Sequence, residues 1–249
     1  MFRGNSQLMD SQLYNAEVRY EWYFAREQRL SLSGFFKRID NPIESYLSIF
    51  GSDSITSFAN APKANLYGAE VEATKYFDMS AWSDAGFFST RRLVTIANYT
   101  YTQSKLKVKD SDTTAVFGAS GTPLARDYFT NGSPLTGQSD HLVNLQLGFE
   151  DTDKLSQQTL IFSYASKRVT SRGIANSGQP DVFEYPGINL DFVWRQGVTV
   201  ANRDLDLKFE ARNLTYNRYR ETQTNGTNTI IFNRYARGTT FNFSISTTF

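Results

Sequence analysis

The chain is a succession of short stretches in which apolar and polar residues alternate, the period of two that puts successive side chains on opposite faces of a β-strand. Residues 238–249 show it best, reading G-T-T-F-N-F-S-I-S-T-T-F. Phe241, Phe243, Ile245 and Phe249 share one face, with Thr247 its weak member, and Thr240, Asn242, Ser244, Ser246 and Thr248 share the other. The same pattern predicts a strand over about residues 15–25, with Ala16, Val18, Tyr20, Trp22 and Phe24 opposite Glu17, Arg19 and Glu21. Further strands are predicted over about residues 29–39, 65–77, 91–106, 138–150 and 157–169. A seventh sets Ile188, Leu190, Phe192 and Trp194 against Asn189, Asp191 and Arg195. An eighth sets Leu205, Leu207, Phe209 and Ala211 against Asp206, Lys208, Glu210 and Arg212, and runs as far as residue 222. The turn T-N-G-T-N at 224–228 leads into the ninth.

The connections between these strands alternate in length. Those after strands one, three, five and seven span roughly 3 to 13 residues, and those after two, four and six roughly 16 to 31, the short-turn, long-loop asymmetry of outer-membrane barrels. Asn41-Pro42 ends the second strand, because proline brings no ladder donor, and residues 41–63 read as a polar loop. The expected architecture is therefore all-β, an antiparallel transmembrane β-barrel. A soluble β-rich sandwich would need its aromatic face covered by a second sheet.

Composition narrows this. Mean hydropathy is −0.45 and no apolar run is long enough for a transmembrane helix, which leaves strands as the only route across a bilayer. Aromatics make up 15 % of the chain, which suits interfacial girdles. The net charge of +1 gives no field for nucleic acid, and the absence of cysteine excludes disulfides and thiolate metal sites. The opening M-F-R-G-N-S-Q-L-M-D lacks the apolar core of a signal peptide, so a longer protein is expected, with this chain its C-terminal portion.

Candidate chemistry is sparse. Glu70 and Glu72 share a face about 7 Å apart, a separation open to glycoside hydrolysis, but both fit a wet lumen better. There they join Glu17, Arg19, Glu21, Asp206, Lys208, Glu210 and Arg212. His141, the only histidine, cannot build a histidine metal site, and Asp140 beside it faces the opposite way. No catalytic residue, metal site or cofactor is expected. In the long connections Tyr46, Phe50, Phe58, Phe117, Arg126, Tyr128 and Phe129 form a set of aromatics and arginine able to stack on a sugar or chelate. The alternative is that they pack loop against loop.

The end of the chain resembles TonB-dependent outer-membrane receptors. The resemblance rests on Arg212-Asn213-Leu214, Tyr219-Arg220-Glu221, Tyr235, Arg237-Gly238 and the closing strand to Phe249, supported by F-F-K-R-I-D-N-P-I-E at 35–44, G-A-E-V-E at 68–72 and L-T-G-Q-S at 135–139. It implies roughly strands 14 to 22 of a barrel of about 22 strands, whose front strands and plug domain lie outside this chain. It further implies a location in the bacterial outer membrane, in contact with its lipid. The ligand would be a siderophore, cobalamin, haem or glycan, imported with energy from the TonB complex. Phe241, Phe243, Ile245 and Phe249 would be the signal read by the barrel-assembly machinery, and the charged face would meet the plug. A passive porin is the runner-up reading.

Overall fold

The computed structural model describes residues 1–83, 86–119, 121–175 and 177–247. In chain order the strands are β1 (Gln12–Ala25), β2 (Gln28–Asp40), β3 (Ile43–Phe50), β4 (Asp53–Asn60), β5 (Lys63–Asp78), β6 (Arg91–Leu106), β7 (His141–Asp151) and β8 (Ser156–Ala165). They continue with β9 (Arg168–Ser171), β10 (Val182–Glu184), β11 (Gly187–Val200), β12 (Arg203–Arg212), β13 (Arg218–Asn225), β14 (Asn228–Ala236) and β15 (Thr240–Thr247). A single 3₁₀ turn, Ala125–Asp127, is the only helical element among the described residues.

Nine strands form one antiparallel sheet in the order β1-β2-β5-β6-β7-β8-β11-β12-β15, so each long strand pairs with the next along the chain. The register carries one parity across the sheet: Arg19 lies opposite Ser33, Ser33 opposite Glu70, and Glu70 opposite Thr100. The other parity runs through Tyr20, Leu32, Val71, Tyr99, Val143, Tyr164 and Ile188. One face is thus polar and the other apolar. The apolar face is uncovered, with Val18, Trp22, Phe36, Leu160, Ile188 and Phe243 all exposed. Soluble monomers rarely expose a continuous apolar surface of this extent. It has the form of a barrel wall whose outward residues meet lipid. The sheet stays open, with β1 and β15 at its two edges.

At the short-connection end two of the turns are tight. Ala201 and Asn202 link β11 to β12 with φ of 51° and 62°, and Glu27 (φ 59°) sits in the turn from β1 to β2. At the other end the sheet strands give way to a cap. Residues 41–63 are not the polar loop expected: they form the hairpin β3–β4, in which Ile43 pairs with Asn60 and Phe50 with Asp53 around Gly51 (φ 65°). The face that the hairpin buries in the cap carries Glu44, Tyr46, Ile55, Ser57 and Ala59, while Ile43 and Ile49 stand exposed on the other, so polar and apolar residues do not sort by face. The expected 157–169 strand divides into β8 and β9. The eighth divides into β12 and β13 at residues 213–217, where Asn213 and Tyr216 adopt φ of 56° and 52°. The ninth divides into β14 and β15 at Gly238 (φ 71°). The pieces β14-β13-β10-β9 form a second sheet, which joins the hairpin through a bridge from Arg172 to Tyr46.

One position on the polar face tolerates only glycine. A Cβ on Gly68 would lie 2.1 Å from the Tyr101 carbonyl oxygen and 2.6 Å from the Phe35 ring, which crosses the gap a side chain would fill. Gly68→Ala is expected to cost about 1–3 kcal/mol, the usual scale of overpacking, read as a lower urea midpoint of the full-length protein in lipid vesicles. An unchanged midpoint would show that the strands part there at no cost.

Candidate functional site

Two charge networks occupy the polar face. In the first, Arg19 meets Glu17 at 3.3 Å, Glu72 at 3.7 Å and Glu21 at 3.9 Å, while Arg29 reaches Glu72 at 3.3 Å and Glu21 at 3.4 Å. Glu70 accepts a hydrogen bond from the Asn98 amide. Arg29 was missed in the sequence because it stands at the start of β2, although its parity with Ser31 and Ser33 marks the face. In the second network Arg195 meets Asp206 at 2.5 Å, and Glu210 takes Lys208 at 2.8 Å and Arg212 at 3.3 Å. Glu70 and Glu72 are therefore both engaged by neighbouring side chains, Glu70 by Asn98 and Glu72 by Arg19 and Arg29. His141 lies at the cap end of β7, its Nδ1 2.9 Å from the Tyr99 hydroxyl and its ring against Tyr99 and Tyr101. Among the described residues no cluster of three or more metal-ligating side chains occurs.

The structure splits the aromatic set of the long connections. Tyr46 and Phe129 are 1 % and 0 % exposed and form the centre of the cap with Ala59, Ala61, Ala64, Leu106, Val116 and Ala125. Tyr128 stands edge-on to Tyr46 at 5.4 Å. Tyr46 and Phe129 thus pack loop against loop, the alternative reading of these aromatics, and Tyr128 lies partly buried against them. Phe117 lies beneath Arg3 at 3.9 Å, and Arg126 pairs with the exposed Asp110 at 3.3 Å. Phe50 ends β3, and its side chain lies outside the described part of the structure. Phe241, Phe243 and Ile245 stand exposed on the apolar face of β15, Phe241 stacked on Phe209 at 6.2 Å, and Phe249 lies outside the described residues.

A buried ionic node holds the cap together. The Arg172 guanidinium donates from Nη2 to Glu44 Oε2 at 2.7 Å, from Nη1 to Asp181 Oδ2 at 3.0 Å, and to the Pro134 carbonyl. The Thr136 backbone N–H donates to both Glu44 oxygens at 3.1 and 3.2 Å. Glu44 and Arg172 are 1 % and 2 % exposed. Burial pushes the Glu44 carboxyl above its ordinary range while Arg172 and the Thr136 N–H pull it down. Three connections meet at this one side chain, and nothing in the local sequence of any of them announces it.

Between the hairpin, the N-terminal segment and the second sheet lies a cleft of about 510 Å³ lined by Phe2, Phe58, Ser45, Tyr219, Glu221 and Phe232 among others. Phe2 stacks on Phe58 at 6.5 Å, held by the bridge of Phe2 to Thr56. Of the aromatics set out in the sequence as ligand contacts, Phe58 lines this cleft. Tyr219 and Phe232 lay in stretches read as barrel strand, where an aromatic signals a wall and not a pocket. Burial and the neighbouring Glu221 raise the Tyr219 hydroxyl far above its usual pKa, so it stays a neutral donor. Aromatic faces with hydroxyls and one carboxylate suit a ligand with ring faces and polar edges.

No curated protein and no solved structure matches the chain. The sequence profile of the family described as TonB dependent receptor-like, beta-barrel matches residues 1–249. A two-faced sheet with an exposed apolar side, short turns at one end and a folded cap at the other, matched by that profile along its whole length, places this chain in the TonB-dependent receptor β-barrel family, whose members act in transport across the bacterial outer membrane.

Proposed function

We propose that the chain forms nine consecutive strands in the wall of a receptor that imports a scarce ligand, a siderophore, cobalamin, haem or glycan, with energy from the TonB complex. The profile match over residues 1–249 carries this reading. The open edges at β1 and β15 support a wall completed by further strands, since unpaired backbone groups in lipid cost several kcal/mol each. In the complete barrel the apolar face meets lipid. The polar face, with Glu17, Arg19, Glu21, Glu70, Glu72, Asp206, Lys208, Glu210 and Arg212, lines the lumen against a plug. The cap is extracellular, and the Phe2–Phe58–Tyr219 cleft in it contributes to the ligand site. The β15 face is the part read by the barrel-assembly machinery.

Uptake by cells carrying the full-length protein tests this. The probes are radiolabelled iron on a panel of siderophores, labelled cobalamin, haem and fluorescent oligosaccharides, each supplied with and without TonB. One probe should accumulate only when TonB is present. Equal entry in both strains would make the protein a passive pore.

A further inference from the structure

The geometry points to a second site in the cap, distinct from the aromatic cleft: a cationic cleft formed by Lys167, Arg218, Arg220 and Arg234 that binds a group carrying two phosphates. The cleft, of about 640 Å³, lies where β8 and β11 give way to the second sheet. Its size is that of a small-ligand or headgroup site. No carboxylate is among the residues that line it.

Several other cap cations are matched. Arg172 has Glu44 and Asp181, Arg168 and Arg237 have Glu184, and Arg126 has Asp110. Among the described residues, none of the four cations of this cleft has a carboxylate within ion-pair distance. Aromatic rings hold three of them without neutralising them: Arg220 over Tyr185 at 4.8 Å, Lys167 over Phe183 at 5.4 Å and Arg218 over Tyr216 at 5.4 Å.

The register makes the arrangement costly when empty. Arg220 and Arg234 are direct cross-strand partners, and Arg218 stands two residues before Arg220 on the same strand. Like charges directly opposite destabilise a strand pair. A cleft that places two arginines opposite each other, adds two more cations and has no acid in its lining is completed by an anion. The charge sets the class. One phosphate monoester brings about −1.5 to −2, so two bring about −3 to −4, against four cations. Guanidinium forks bind phosphate oxygens two at a time, which fits three arginines better than three lysines.

The inference does not depend on which ligand is imported, because its test reads binding and not uptake. Purified full-length protein in nonionic detergent is titrated by calorimetry with inorganic pyrophosphate, and separately with mixed micelles of a diphosphorylated lipid or its dephosphorylated form. Saturable binding of pyrophosphate identifies a soluble source, and binding of the diphosphorylated lipid alone identifies a headgroup; either supports the site. The double variant R220Q/R234Q should bind roughly tenfold to a hundredfold more weakly, the effect of losing charge-assisted bonds. Arg234→Lys keeps the charge, loses the fork and should fall between, so the test survives a double variant that fails to fold. Absence of binding to either probe, or equal affinity in wild type and Arg234→Lys together with the double variant, overturns the assignment.

Discussion

Replacing Arg172 with methionine should open the cap while leaving the nine-stranded sheet intact. The guanidinium joins Glu44 of β3, Asp181 of the connection before β10 and the Pro134 carbonyl of the connection before β7. Its removal leaves the Glu44 carboxyl almost wholly buried with only the Thr136 N–H as partner. Breaking one side of a buried pair costs about 3–5 kcal/mol, because the remaining charge is left uncompensated. That exceeds what a locally folded cap can lose and stay closed. Hydrogen exchange of the full-length protein should show residues 44–47, 134–137 and 170–173 exchanging at least about tenfold faster, with β5 and β6 unchanged. The double variant R172M/E44L removes both charges and should regain much of the protection, since an apolar pair of similar volume replaces a buried ion pair at little cost. Unchanged exchange in Arg172→Met would mean that apolar packing around Phe129 and Tyr46 holds the cap alone.

The contrast between cap and sheet explains which parts of the molecule were legible in the sequence. A strand with one apolar face writes its period into adjacent residues, so the stretch 91–106 is read directly and appears as Arg91–Leu106. The register then follows, because a slip of one residue would turn every Phe and Trp to the polar side. The cap has no such code. Glu44 and Arg172 are separated by 128 residues, and their partnership depends on three connections meeting in space. Tyr46 and Phe129 are buried by tertiary packing, whereas a loop aromatic in a sequence looks the same whether it faces a ligand or a core. The Phe2–Phe58–Tyr219 cleft draws on the N-terminal segment, a hairpin and a strand more than 200 residues beyond Phe2. The positions where strands divide, Asn213, Tyr216 and Gly238, depend on backbone conformations that Asn and Gly permit but do not compel.

The assignment of the two faces has a direct energetic consequence. Leu145 lies near the middle of β7, opposite Ala97 of β6 and Phe162 of β8, on the apolar face. Its neighbour Asn144 lies opposite Asn98 and Ser163 on the polar face. The two positions share strand, depth and backbone environment and differ only in the medium they meet. Arginine at a lipid-facing site near the bilayer midplane costs about 2–4 kcal/mol, whereas an interior substitution in a wet barrel is accommodated by water and neighbouring polar groups. Leu145→Arg should therefore lower the unfolding free energy of the full-length protein in lipid vesicles by about 2–4 kcal/mol, and Asn144→Arg by less than about 1 kcal/mol. Urea titration followed by tryptophan fluorescence measures both. The comparison is insensitive to helix or strand propensity, because the incoming residue is the same. If the costs are equal, β7 does not separate lipid from water; if Asn144→Arg is the more damaging, the polar face is the one turned to the membrane, and the lumen, the plug contact and the charge networks on β1 and β12 would all have to be reassigned with it.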